Sequence, residues 1–323
     1  MCPSNIVKEI LMDKQLEKQA ETHLRCGMVS IIGRPNVGKS TLLNAIVKEK
    51  IAIVSKIPQT TRNRIKGIYT DERGQIVFID TPGVHLGHDH LDKFMHRCSL
   101  DNIDDVDCII HLVDSSERVG VEEHHVVDQL KHVKKPVILG LNKIDLKGKF
   151  LPEYLSLWEE AKGIPVTEMK NFVLMPLSGE RDTNVDKLLE VIFDFIPKGE
   201  YLYPPDIVCD VPQRMVIADI IREKFFNLMR DEVPHSLAVL IEEKSPKKRD
   251  TVYIRALVLV ERDSQKEIVI GKSGHILKEV GTQARMELED LLGKKVFLEL
   301  LVKAQKNWRE DRDYLEQMGY AFL

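Results

Sequence analysis

Gly33-Arg34-Pro35-Asn36-Val37-Gly38-Lys39-Ser40 follows the apolar run Met28 to Ile32 and precedes the helical run Thr41 to Ile46. The two glycines let the backbone curl so that successive N–H groups, from Gly33 through Val37 and Gly38 to Thr41, face one anion. The helix beginning there adds its dipole to the same charge. Lys39 reaches the outer phosphates of such a ligand, and the Ser40 hydroxyl suits Mg²⁺, a hard cation that takes oxygen ligands. The strand, loop and helix around the octet are what separate a phosphate-binding loop from a chance glycine turn.

Three further clusters follow in order. Asp80-Thr81-Pro82-Gly83 ends the apolar run Ile76 to Ile79, where Asp80 can hold Mg²⁺ and the Gly83 N–H can meet a terminal phosphate. Asn142-Lys143-Ile144-Asp145 ends the run Val137 to Leu141. There the Asp145 carboxylate can accept from both N–H donors of guanine, a pair adenine lacks; a site built around such a group rejects the analogue that leaves it unpaired. Ser178-Gly179-Glu180, after the run Phe172 to Leu177, can back the base with main-chain N–H groups. Together the clusters point to a GTP or GDP site with Mg²⁺, with Lys39 as the charge on the phosphates.

These clusters must be held at the ends of strands. The five apolar runs, Met28 to Ile32, Ile76 to Ile79, Cys108 to Val113, Val137 to Leu141 and Phe172 to Leu177, alternate with amphipathic stretches after Lys39, around Glu122 to His132, Pro152 to Lys162 and Asn184 to Ile196. That alternation predicts an α/β domain with a mostly parallel sheet covered on both faces, to which residues 66–70 add an antiparallel strand. Pro197, Pro204, Pro205 and Pro212 then mark an interdomain linker, since proline opposes helix continuation and central-strand pairing. Beyond it come a helix from Gln213 to Arg230, β-rich runs over Leu237 to Glu242 and Thr251 to Val260, a glycine turn, a helix from His275 to Leu292, a strand over Val296 to Val302 and a closing helix. This is a smaller α+β domain.

The turn of that domain, Gly271-Lys272-Ser273-Gly274, fits the G-x-x-G loop of a KH module. It cannot be a second phosphate-binding loop, because the position five residues before Gly271 is Lys266. In a KH fold the glycines admit a sugar-phosphate backbone, Lys272 and Lys278 neutralise phosphates, and an apolar platform takes unstacked bases.

A length of 323 residues suits two domains, and a composition 43% hydrophobic and 30% charged suits a globular protein. A net charge of -4 excludes a uniformly basic nucleic-acid coat but leaves room for a local basic face. Cys2, Cys26, Cys98, Cys108 and Cys209 lack the spacing of a zinc site or a disulfide scaffold, which fits a reducing cytoplasm. No apolar run reaches membrane-spanning length, and residues 1–26, with four acidic side chains, read as a surface helix.

Taken with Gln59-Thr60-Thr61-Arg62, these motifs resemble the Era family of bacterial ribosome-assembly GTPases, a Ras-like P-loop GTPase domain followed by a type II KH domain, over nearly the whole chain. The resemblance divides the chain into an extension (1–26), a G domain (27–197), a linker (198–213) and a KH domain (214–323). It implies Thr61 as a switch I ligand of Mg²⁺ beside Ser40 and Asp80, and Asn36 as the residue that helps hold a K⁺ ion which stimulates hydrolysis. The residue after Gly83 is Val84, where related GTPases carry a water-orienting glutamine, so intrinsic turnover is expected near or below about 10⁻⁴ to 10⁻³ s⁻¹. His85 and His88 are weaker substitutes. The implied partners are the 3′ end of 16S rRNA and the 30S ribosomal subunit, in a cytoplasmic protein with a peripheral inner-membrane fraction. Two other readings stay open: a membrane-associated or protein-docking regulatory GTPase, and a GTPase of the metabolic or tRNA-modification kind.

Overall fold

The computed structural model describes residues 23–54, 65–80, 103–229, 233–247 and 250–320. Thr61 and Gly83, with the roles expected of them, and His85 and His88 lie outside the described residues, as does most of the 1–26 extension.

The first unit is a six-stranded sheet in the order β2-β3-β1-β4-β5-β6. Its strands are β1 (Arg25–Ile32), β2 (Ile65–Asp71), β3 (Gly74–Asp80), β4 (Cys108–Asp114), β5 (Val137–Asn142) and β6 (Phe172–Pro176). Every pairing is parallel except β2 with β3. Strands β3, β4 and β5 are buried along their whole length, as expected of parallel strands covered on both faces.

Alternation along β1 divides the core. Ile31 faces a cluster with Leu42, Leu43 and Ile46 of α1 (Lys39–Val47), and with Leu188 and Ile192 of the last helix of this unit. Ile32 faces the opposite cluster, with Val126 of α2 (Val121–Leu130) and Tyr154 and Trp158 of α3 (Leu151–Lys162). That last helix, α4 (Val185–Phe195), completes the layer on the Ile31 side. Because β1 lies between β3 and β4, chain direction diverges at its carboxyl end, the topological switch point at which open α/β sheets bind ligands. The loop 33–38 begins there.

The proline-rich segment is not a loose tether. It runs antiparallel along the free edge of β2, with the Ile68 N–H donating to Val208 O (2.9 Å) and the Asp210 N–H to Lys66 O (3.1 Å). Buried Gln75 uses its whole amide there: Oε1 accepts from the Leu202 and Tyr203 N–H groups (2.9 Å each), and Nε2 donates to Tyr203 O (2.9 Å) and Thr70 Oγ1 (3.0 Å). Prolines suit this role, since an edge segment needs few N–H donors.

The second unit has a three-stranded sheet, β7 (Ala238–Lys247), β8 (Thr251–Val260) and β9 (Lys295–Ala304), with β7 antiparallel and β9 parallel to β8. One face carries α5 (Gln213–Leu228), α6 (Asp263–Ile270) and α7 (His275–Leu292). Ile268-Val269-Ile270, β-branched and strand-like in isolation, closes α6. The Arg262 N–H is capped by Gln265 Oε1 (3.0 Å), and only Val269 of that helix is buried. The other face of the sheet is covered by the C-terminal segment, whose Trp308, Leu315, Met318 and Tyr320 pack on Leu257 and Leu259; α8 (Arg312–Gln317) belongs to it.

Candidate functional site

Gly38 sits at φ +101 and opens α1, a backbone state that glycine adopts without penalty. A Cβ there would lie 2.4 Å from Asn142 Nδ2, so the loop also needs glycine for space. Lys39 folds back over the loop and donates to Gly33 O (3.0 Å) and Arg34 O (2.9 Å). It is 6% exposed, and burial pulls its ammonium pKa down to about 8, against the opposing pull of Asp80. Asp80 is fully buried, and burial raises its carboxyl to about 6.

Ser40 Oγ donates to Asp80 Oδ2 (2.7 Å), which brings the two expected metal ligands together. Asp80 Oδ1 has no hydrogen-bond partner among the described residues. A buried carboxylate oxygen without a donor, beside a hydroxyl and an ammonium, fits a hard divalent cation bound with a polyphosphate. Ser40 and Asp80 would hold that ion, and Lys39 would turn to the phosphates.

The base side is assembled by Asn142. Its Nδ2 donates to Val37 O (2.7 Å) and its Oδ1 accepts from the Gly179 N–H (3.1 Å), which ties the phosphate loop, the end of β5 and the Ser178 loop into one piece. Asn142, expected among the nucleotide contacts, thus also spaces the loops through its amide. Asp145 lies on a single 3-10 turn, Ile144–Leu146, and is exposed at the mouth of the site. Lys143 Nζ donates to Asn36 O (2.9 Å) and Asp114 Oδ2 (2.6 Å). Ser178 is buried, its Oγ accepts from the Arg181 N–H (3.2 Å), and Glu180 is exposed beside it.

In the second unit the glycine turn follows α6. Gly271 has φ +74, and a Cβ there would meet Ile276 Cγ1 at 2.8 Å. Lys272 and Ser273 are exposed at the tip, and Ser273 is itself at φ +55. Below the turn lies an open groove of about 410 Å³ between α7 and the edge strand β9. Gly274, Lys278 and Arg285 give it backbone and positive charge, while Leu277, Leu298 and Leu300 form an apolar floor. The leucines were not singled out from sequence. Their signal, half-exposed apolar positions on an otherwise polar helix face and an edge strand, is faint until the two elements are seen side by side.

The two units meet through charge. Lys50, just beyond α1, pairs with Glu223 (2.8 Å) of α5 and Glu287 (2.6 Å) of α7, and the Val54 N–H donates to Glu223 Oε2 (3.2 Å). Lys224 joins the same two carboxylates.

The family model described as a 50S ribosome-binding GTPase matches residues 28–143, and the KH domain model matches residues 232–309. The chain is 44% identical over 297 residues to GTPase Era of Halothermothrix orenii, a match that spans 92% of this chain and 98% of the relative. It is 45% identical over 305 residues to GTPase Era of Geobacter metallireducens, at 94% and 100% coverage. A crystal structure of a point variant of Aquifex aeolicus Era bound to GDP·AlF₄⁻ superposes with a TM-score of 0.85 at 37% identity, covering 93% of this chain and all of that one. A structure of Era in complex with MgGDPNP and nucleotides 1506–1542 of 16S ribosomal RNA gives 0.85 at 36% identity, with the same coverage. A switch-point phosphate loop and a glycine turn over a groove, matched in order along almost the whole length, place the chain in the Era family of GTPases.

Proposed function

We propose that this GTPase is a molecular switch that binds single-stranded RNA in its C-terminal groove, with the 3′ end of 16S rRNA as ligand, during assembly of the 30S subunit. The observation that carries the reading is the groove itself. A left-handed glycine turn, cations at the lip and a leucine floor supply what an unstacked strand requires: backbone approach, phosphate neutralisation and an apolar surface for bases. The 16S rRNA nucleotides bound by a related Era support the identity of the strand.

On the nucleotide side, Ser40 and Asp80 orient a Mg²⁺ that would neutralise charge on the phosphates, Lys39 holds their outer oxygens, and Asp145 reads guanine. Thr61 as a further metal ligand, Gly83 on the terminal phosphate and K⁺ held near Asn36 are parts of the same proposal. Nucleotide state reaches the RNA through Lys50 and Val54, which lie at the root of the segment between α1 and β2 and are held by Glu223 and Glu287. Coupling of this kind is a difference in RNA affinity between two nucleotide states, and it is reciprocal.

The test is RNA affinity measured with GDP and with a non-hydrolysable GTP analogue, for wild type and Lys50→Ala, together with crosslink mapping on cellular RNA. The expected result is crosslinks at the 3′ end of 16S rRNA, and a wild-type affinity difference of about fivefold or more that shrinks in the variant. Crosslinks scattered without preference, or sedimentation with anionic liposomes in place of RNA retention, would overturn the reading.

A further inference from the structure

We propose that Asp114 is a positioning residue for the guanine nucleotide: its carboxylate clamps Lys143 against the phosphate loop, and so holds the base-reading and phosphate-binding loops at one spacing. Asp114 ends β4, between β1 and β5, and is 2% exposed. Its two oxygens do different work. Oδ1 accepts from the Ser116 N–H (3.0 Å) and Ser116 Oγ (2.6 Å), closing the turn after the strand. Oδ2 accepts from Lys143 Nζ at 2.6 Å.

The same ammonium donates to Asn36 O at 2.9 Å, so one lysine joins the end of β4, the loop after β5 and the middle of the phosphate loop. Lys143 stands at φ +61, a state a lysine keeps only where its surroundings enforce it. Around Asp114 the turn is itself held. Tyr154 Oη donates to the carbonyls of Asp114 (2.9 Å) and Glu117 (3.1 Å), and Arg34, at the start of the phosphate loop, pairs with Glu117 and Glu123. The segment 114–123 therefore grips the phosphate loop at Arg34 and, through Lys143, at Asn36.

This division of labour within one side chain separates positioning from a merely structural part. Asp114→Asn keeps an oxygen for the Ser116 N–H but removes the charge that faces Lys143. Dissociation of a fluorescent GDP would be followed for wild type, Asp114→Asn, Lys143→Met and the double variant, alongside the melting temperature of each without nucleotide. Loss of a charge-assisted hydrogen bond predicts about tenfold faster GDP release in Asp114→Asn. The melting temperature and RNA affinity should hold, and the double variant should release GDP no faster than Lys143→Met alone, the non-additivity of residues acting through one contact.

Release within twofold of wild type, or effects of the two substitutions that multiply in full, would overturn the proposal. Should Asp114→Asn fail to fold, Asp114→Ser carries the same comparison. Failure of both to fold beside a folded Lys143→Met would assign the carboxylate to the turn alone. The inference rests on the guanine-nucleotide site, and the two failures look different: wild type unable to retain GDP would sink the site itself, whereas unchanged release in Asp114→Asn would remove only Asp114.

Discussion

The phosphate loop of the N-terminal unit and the glycine turn of the C-terminal unit both turn on glycines at positive φ, Gly38 in the one and Gly271 and Gly274 in the other, yet they are built in opposite ways. Around the first, Lys39, Asp80 and Asn142 are buried and hydrogen-bonded to neighbouring protein groups. Around the second, Lys272, Ser273, Lys278 and Arg285 are exposed, and the floor is a shallow strip of leucine. A buried ammonium and a buried carboxylate are costly unless paired, which is visible in Lys39 pulled down to about 8 and Asp80 pushed up to about 6. A small ligand dense in charge can satisfy both at once, so that site gains specificity from preorganisation. A polymer brings its charges in a row and exchanges them for counterions, so exposed cations suffice.

Lys39→Ala should weaken GDP and GTP binding by about a thousandfold, because it removes a buried partner of the phosphates. RNA retention by the second unit with GDP in excess should be nearly unchanged. Equilibrium dialysis with labelled nucleotide reads the first, and a gel shift the second; a loss of both would mean the two units are less separable than their construction suggests.

Next in size, Gly271→Asp with Gly274→Asp should lower RNA affinity by about a hundredfold, from strained left-handed backbone at both positions and carboxylates set against a phosphate chain, while nucleotide affinity holds. RNA affinity should fall steeply as ionic strength rises, whereas binding at the buried nucleotide site should change far less. Filter binding across a salt series checks it.

The smallest expected effect lies in the core of the first unit. Trp158 Nε1 donates to His111 Nδ1 (3.1 Å), Nε2 has no hydrogen-bond partner among the described residues, and burial holds the ring neutral with a pKa down at about 3. The unfolded chain takes up a proton at this histidine below about 6.5, whereas the folded one does not until far lower. Stability is therefore lost as pH falls through that window, by about 2 kcal/mol between pH 6.5 and 5. His111→Asn keeps an acceptor for the indole and should flatten that part of the slope in denaturant midpoints, with nucleotide affinity unaltered at pH 7.

Much of this was legible in the chain as written. The order of strands and helices, the phosphate loop, the Asp80 and Asp145 positions and the G-x-x-G turn all follow from periodicity and local spacing, because each is a strand, loop and helix whose geometry is settled within a dozen residues. Local chemistry left other features open: the β-branched Ile268-Val269-Ile270 closes a helix, and the proline segment, expected as a linker that avoids central-strand pairing, lies hydrogen-bonded along the edge of β2.

What only the folded molecule decided are the meetings between distant residues. Asn142 bridges Val37 and Gly179, Asp114 reaches Lys143, Lys50 reaches Glu223 and Glu287, and α7 meets β9 to make a groove. Hydropathy and spacing tell a side chain whether to be buried and which face of its element it occupies; they carry no information about which partner, a hundred residues away, arrives on the other side. That choice belongs to sheet order and helix packing, and those set which charges end up paired.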